Sequence, residues 1–175
     1  YGLDSRLTFT KNNQNLFHQF QFGLESAFQN DTRNRFLNLK GTKGENVFSQ
    51  VEGFDNFSFY FLDEFRFNNW NFKSSVRFDN LSIGVDSFVL NKDYNVANPS
   101  FGLSKEIKNN QYVFVNFSTS FETPTLSELS SNPDGQEGFN LELEPSTAYN
   151  YELGWKISKS NFFMEANLFY IKSSN

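Results

Sequence analysis

From Asn109 to Trp155 the chain carries no lysine or arginine, while Glu122, Glu128, Asp134, Glu137, Glu142, Glu144 and Glu152 supply only negative charge. Such a run makes a local acidic field, which attracts a cationic or metal-bearing ligand. Hard carboxylate oxygens also suit Ca2+, and Asp134 and Glu137 are the candidates for a structural ion. The plain alternative is solubilising loop surface. Residues 29–54 carry the opposite bias at their start, with Arg33, Arg35, Lys40 and Lys43, a set suited to anionic groups. Phe139, between Gly138 and Asn140, can stack on a ligand or pin its loop. The ligand-binding candidates are therefore Glu122, Glu128, Asp134, Phe139, Glu142, Arg33 and Arg35.

Other chemistry is excluded by composition. His18 is the only histidine and there is no cysteine, so the segment holds no His/Cys zinc site and no thiol nucleophile. A histidine-based triad has only His18 to use, and nothing places it beside a nucleophile. Gly41-Thr42-Lys43-Gly44 lacks the order of a phosphate-binding loop and reads as a turn. A net charge of −5 argues against nucleic acid. Enzymatic activity is not expected, and neither is a cofactor beyond the structural Ca2+.

The elements that position these residues alternate apolar and polar side chains. Residues 19–28, 57–67, 72–78, 112–121, 149–157 and 162–171 all have a period near two, which sends successive side chains to opposite faces of a strand. With 24 Phe, 7 Tyr and 2 Trp among 175 residues the chain is strongly aromatic. Its mean hydropathy is nevertheless −0.56. No stretch approaches the roughly 20 apolar residues of a membrane helix. Dispersed apolar residues of this kind fit the wall of an antiparallel transmembrane β-barrel, where about ten alternating residues per strand cross the hydrocarbon.

Eight strands are expected, near 2–10, 16–28, 56–67, 71–88, 99–106, 111–122, 148–158 and 161–172. Their connections alternate in length, with short ones at 11–15, 68–71, 107–111 and 158–161, and longer ones at 29–54, 91–98 and 123–147. The long loops at 29–54 and 123–147 are expected to be extracellular and the short turns periplasmic. Tyr149, Tyr151, Leu153, Trp155 and Ile157 are assigned to lipid, as are Phe162, Met164, Ala166, Leu168 and Tyr170. Asn150, Glu152, Gly154, Lys156, Glu165 and Asn167 face inward, and in 72–79 Lys73, Ser75, Arg77 and Asp79 do the same. Tyr149 and Tyr151 sit toward one interface and Trp155 toward the other. Segment 57–67 resists assignment, because Tyr60 and Leu62 are apolar as well as the odd-numbered phenylalanines, and Asp63 and Glu64 are adjacent. The chain starts within a strand-like pattern without a leader and stops where another hairpin is due, which reads as a piece of a longer polypeptide.

Residues 112–156 carry a specific resemblance. Phe121, Pro124, Thr125, Glu128 and Leu129 form a Phe-x-x-Pro-Thr-x-x-Glu-Leu run. It leads to Asn132-Pro133, to Leu143 and Pro145, and to Tyr151-x-Glu152-x-Gly154-x-Lys156. This order resembles the barrel of TonB-dependent outer-membrane receptors. Upstream, Arg77-Phe78-Asp79 occupies the positions of that family's Gly-x-Arg-Tyr-Asp, with Ser75 in place of Gly and Phe78 in place of Tyr. The resemblance covers roughly 55–175, and the earlier residues fit as generic wall. It implies part of a 22-stranded barrel, toward the C-terminal side, whose plug domain lies outside this segment. It also implies a location in the bacterial outer membrane, amid lipid and lipopolysaccharide, and coupling to the TonB-ExbB-ExbD complex through an N-terminal region not included here. The implied cargo is a scarce ligand such as an iron chelate, cobalamin, oligosaccharide or peptide, with a lipoprotein as a further partner. A passive or substrate-specific porin and a soluble β-rich binding module are the alternative readings.

Overall fold

The computed structural model describes residues 1–86, 90–129, 140 and 142–174. The strands are β1 (Gly2–Asn13), β2 (Leu16–Leu39), β3 (Thr42–Phe67), β4 (Trp70–Val85), β5 (Leu90–Lys108), β6 (Gln111–Glu122), β7 (Ser146–Lys159) and β8 (Phe162–Ser174). One helical turn, α1 (Leu126–Leu129), lies between β6 and β7. All eight strands join one sheet in chain order, each antiparallel to the next. This is an unclosed wall of the kind that a larger barrel contains.

The strand count and order agree with the sequence reading, but two connections do not. Residues 29–54 are not a loop: Gln29 pairs with Phe54, and the ladder runs on to Leu39 opposite Thr42 with irregularities near Phe36. Residues 91–98 likewise belong to β5, from Leu90 opposite Val85 to Asn98 opposite Arg77. Both stretches are rich in Asn, Lys and Asp, a composition read as turn. Backbone pairing, however, requires no apolar side chain where both faces of a ribbon meet water, as in most of 29–51, and in 91–98 the polar residues alternate with inward Tyr94 and Val96. The actual reversal in 29–54 is Lys40-Gly41, where both residues have positive φ (54° and 92°) as a two-residue hairpin turn demands, and Asn38 Oδ1 accepts the Gly41 N–H at 2.7 Å. Among the described residues the backbone of this hairpin pairs only with itself from Arg33 to Gln50: β1 ends opposite Ala27, β4 ends opposite Glu52, and the Val51 carbonyl accepts the Asp86 N–H at 2.7 Å.

Register defines the two faces. Glu25, Ser58 and Asp79 stand in one row, as do Gly23, Tyr60, Arg77 and Asn98. On the opposite face Phe22 packs against Phe61 at 5.1 Å, Phe59 stacks on Phe78 at 4.8 Å, and Phe117 and Tyr151 meet at 5.2 Å. Tyr149, Tyr151, Leu153, Met164, Leu168 and Tyr170 are exposed on that apolar face, Leu168 by 73%, while Glu152 and Lys156 alternate with them on the other. Trp155 is half-buried, and Ile157 is buried at the end of β7 rather than open to lipid as expected. The ambiguity of 57–67 also resolves. Asp63 lies among the phenylalanines and is met by His18 at 2.6 Å, whereas Glu64 points to the polar face, 2.6 Å from Arg66.

Tyr60 and Phe114 belong to the polar face and lie against glycines. A Cβ at Gly23 would come within 2.1 Å of the Tyr60 ring, and one at Gly154 within 2.2 Å of the Phe114 ring. The glycines are seats for rings that would otherwise stand into the interior.

Higher in the wall the apolar side reverses. On β4 the outward set Phe72, Val76 and Phe78 gives way to Asn80 and Ser82, while the inward positions become Leu81, Ile83 and Val85. On β5 the inward residues Tyr94 and Val96 match them, and outward Asn80 donates to Asn95 at 2.8 Å while Ser82 donates to Asp93. An uninterrupted strand that changes its apolar face has changed surroundings. From Trp70 to Phe78 the path is about 26 Å at roughly 3.3 Å per residue. At a tilt near 40° this spans about 20 Å of depth, close to the apolar height of outer-membrane barrels. Placing Arg at Leu168, opposite Leu153 in the middle of the outward band, should therefore cost about 2–4 kcal/mol of unfolding free energy measured in lipid. An unchanged value would remove Leu168 from the lipid face.

Candidate ligand-facing site at the long-loop end

The reversal creates an inward apolar patch that the connection between β6 and β7 covers. Leu129 is fully buried against Leu81, Ile83 and Tyr94, with Phe54, Val96, Phe121, Leu126 and Leu143 around them. Space for this connection exists because β5 and β6 pair only from Ser100 opposite Ser118 downward. Beyond that point β5 follows β4 and β6 follows β7.

Local sequence shapes the strap. Thr125 caps α1: its Oγ1 accepts the Glu128 N–H at 3.3 Å, and Glu128 Oε2 in return accepts the Thr125 N–H at 2.7 Å and its hydroxyl at 2.9 Å. This reciprocal capping box fixes the turn that aims Leu129 inward. The Thr125 N–H, followed by its hydroxyl, holds the Glu128 carboxyl below the usual glutamate range. The returning arm is latched to β5, where Lys92 Nζ lies 2.8 Å from Glu144 and the Tyr94 hydroxyl donates to the Leu143 carbonyl at 3.3 Å.

Between strap and wall lies a cleft of about 250 Å3, lined by Glu122, Thr123, Pro124, Glu128, Leu143, Glu144 and Ser146. It brings together Glu122 and Glu128 of the expected set and adds Glu144. Glu142 does not line it, and its N–H donates to Asn140 Oδ1 at 3.1 Å. Asp134, Glu137 and Phe139 lie outside the described residues, and the expected Ca2+ pair lies there with them. Among the described residues no group of three metal-capable side chains occurs. Arg33 is paired with the buried Glu52 at 2.8 Å, and Arg35 stacks over the Phe48 ring at 4.9 Å. Both therefore have intrachain partners on the β2–β3 hairpin, and neither lines the cleft.

Below the strap the inward face is a charged network. Arg77 reaches Glu25 at 2.7 Å and Asp79 at 2.9 Å, and donates to Ser58 Oγ at 2.8 Å; Ser58 donates in turn to Asp79 at 2.6 Å. Lower down, a groove of about 320 Å3 is lined by Lys73, Asn116, Glu152, Lys156 and Glu165 among others. There Asn116 donates to Glu152 at 2.8 Å, and Lys156 Nζ sits 5.8 Å from the Phe114 ring whose edge rests on Gly154. Sequence reasoning missed Lys92, Tyr94 and Leu143 as strap anchors. The available signal was the phase change of apolar residues at Leu81, Ile83 and Val85.

The sequence profile described as TonB dependent receptor-like, beta-barrel, matches residues 1–175. The chain belongs to the TonB-dependent receptor family. That match places it in the outer membrane and extends the likeness through residues 1–54, which the motifs alone left as generic wall. The vitamin B12 transporter BtuB of Photobacterium profundum is 30% identical over 99 residues, 57% of this chain and 14% of that protein. In fold the segment is similar to the ferric citrate transporter FecA in its unliganded form (TM-score 0.80, 17% identity, 98% of this chain and 27% of that one). It is also similar to BauA, the ferric preacinetobactin receptor from Acinetobacter baumannii (TM-score 0.74, 14% identity, 97% and 28%). The segment thus spans less than a third of each of these proteins.

Two outcomes follow for this family member. Leu129→Ala should weaken strap docking by about 2–5 kcal/mol, as truncation of a buried leucine does, and protease cleavage within 123–145 should accelerate. A protection level equal to wild type would show that Leu129 is not the anchor. Because Glu128 titrates below its ordinary range, its capping contribution is present above the unfolded-state pKa and is lost as pH falls through the lowered value. The Thr125 amide resonance should therefore shift in acid with a midpoint below that of an ordinary glutamate, and Glu128→Gln should abolish that titration.

Proposed function

We propose that this segment supplies part of the wall and external mouth of a receptor that takes up a scarce, compact, metal-bearing ligand by TonB-dependent transport. The supporting observation is the strap: it rests on the inward face at the long-loop end and sets Glu122, Glu128 and Glu144 around an open cleft. A carboxylate-lined cleft favours ligands that present a metal or a cationic group. The relatives by name take ferric citrate, ferric preacinetobactin and vitamin B12, which supports a chelate or corrinoid over a glycan or peptide. In the whole receptor the wall is part of a 22-stranded barrel, a plug fills its interior, and energy comes from TonB-ExbB-ExbD. The β2–β3 hairpin, with the long-loop end outside the cell, stands above the surface.

The test uses the full-length receptor in cells lacking other uptake routes, with ferric chelates and cobalamin as labelled probes. Uptake of one probe should require TonB, and Glu122→Gln combined with Glu144→Gln should raise its Kd by about twofold to tenfold, as the loss of partly screened charge contacts does. Uptake that persists without TonB would overturn the coupling. An unchanged Kd would take the cleft out of ligand binding.

A further inference from the structure

Among the described residues the outward aromatic face contains a cluster of opposite charges. Asp63 on β3 and His18 on β2 are joined by a hydrogen bond of 2.6 Å between Oδ1 and Nε2, and their side chains are 41% and 44% exposed. Lys11 on β1 stands directly opposite His18 in register and makes no ion pair or hydrogen bond among the described residues. Phe65 packs edge-on to the His18 ring at 5.9 Å, and Phe20 faces Asp63 across the ladder. Lys11 and His18 each lie three residues from the Gln14-Asn15 turn. At about 3.3 Å per residue along a tilted strand, the cluster sits about 8 Å above the short-turn end, at the boundary between headgroups and acyl chains.

Charge on a lipid-facing wall is costly away from the interface and tolerated near it. Here three neighbouring strands set both signs of charge side by side, with capacity left over. His18 uses one oxygen of Asp63, so Oδ2 remains to accept an ammonium group. The Lys11 ammonium remains to meet an anion, and the second ring nitrogen of His18 can donate to the same anion only in the imidazolium form. A phosphodiester carrying a primary ammonium complements this order of charges, while a lipid whose headgroup is only anionic meets Asp63 as a like charge.

We propose that Lys11, His18 and Asp63 form a headgroup site for a zwitterionic aminophospholipid in the leaflet on the short-turn side of the wall, its acyl chains lying along Phe20, Phe61 and Phe65. The site rests on the outer-membrane placement of the wall and is independent of the transported ligand.

The experiment reconstitutes the full-length receptor in bilayers of equimolar phosphatidylethanolamine and phosphatidylglycerol and counts retained lipids by native mass spectrometry. Heat-modifiable gel migration confirms that each variant has a folded barrel. The wild type should retain phosphatidylethanolamine over phosphatidylglycerol. Asp63→Asn should lower that preference by about twofold to fivefold, the size of one partly exposed charge contact. Lys11→Gln and His18→Gln should each lower retention of both lipids. Equal retention of the two lipids by the wild type, or an unchanged preference in Asp63→Asn, would overturn the proposal. So would a lipid-free dimer that Asp63→Asn dissociates, since the cluster would then be a contact between copies of this wall.

Discussion

Backbone amides and carbonyls have no water to turn to inside a bilayer, and each one left unpaired costs several kcal/mol. The seven ladders from β1 to β8 answer that constraint strand by strand. Once the backbone is satisfied by its neighbours, side chains are free to differ completely between faces. This freedom lets one strand hold Phe78 outward and Asp79 inward at adjacent positions. It also explains how a chain with a mean hydropathy of −0.56 builds a membrane wall.

The same ladders continue past the hydrocarbon, and there the side chains report a new environment. Below the reversal, apolar atoms meet lipid and polar ones meet the interior. Above it, the inward face becomes apolar and is covered by Leu129, Leu126 and Leu143, and on the outward face Asn80 and Ser82 hydrogen-bond across to Asn95 and Asp93. The strap is thus attached to the wall by the hydrophobic effect, and its polar contacts at Lys92 and Tyr94 fix its direction. The cleft inherits its shape from that attachment.

Much of the wall was legible because period-two alternation has one structural meaning over ten residues. The strand alternation of Tyr149, Tyr151, Leu153 and Trp155 with Asn150, Glu152 and Gly154 was legible for that reason. Residues 29–54 did not, since turn-like composition and water-exposed strand composition are the same at the level of residue types. The family motifs were legible as order but not as purpose. In the structure Thr125 and Glu128 form a cap, Leu129 is an anchor, Arg77 and Asp79 form a partly buried network with Glu25 and Ser58, and Gly154 is a ring seat beside Glu152 and Lys156. Geometry demands residues of these types, so they identify the scaffold and are silent about the cargo. Glu144 and Lys92, by contrast, belong to no periodic signal, and only the folded strap brings them together.

Among the described residues the β2–β3 hairpin from Arg33 to Gln50 pairs only with itself, and it closes on Lys40-Gly41. Each rung is one residue from either arm, so rungs can be added or removed in matched pairs without disturbing the register of the membrane-embedded strands beneath. Every added rung lengthens the arm by about 3.3 Å. The hairpin is therefore a telescoping element, and its reach beyond the wall can evolve as a quantity separate from the strands that carry it.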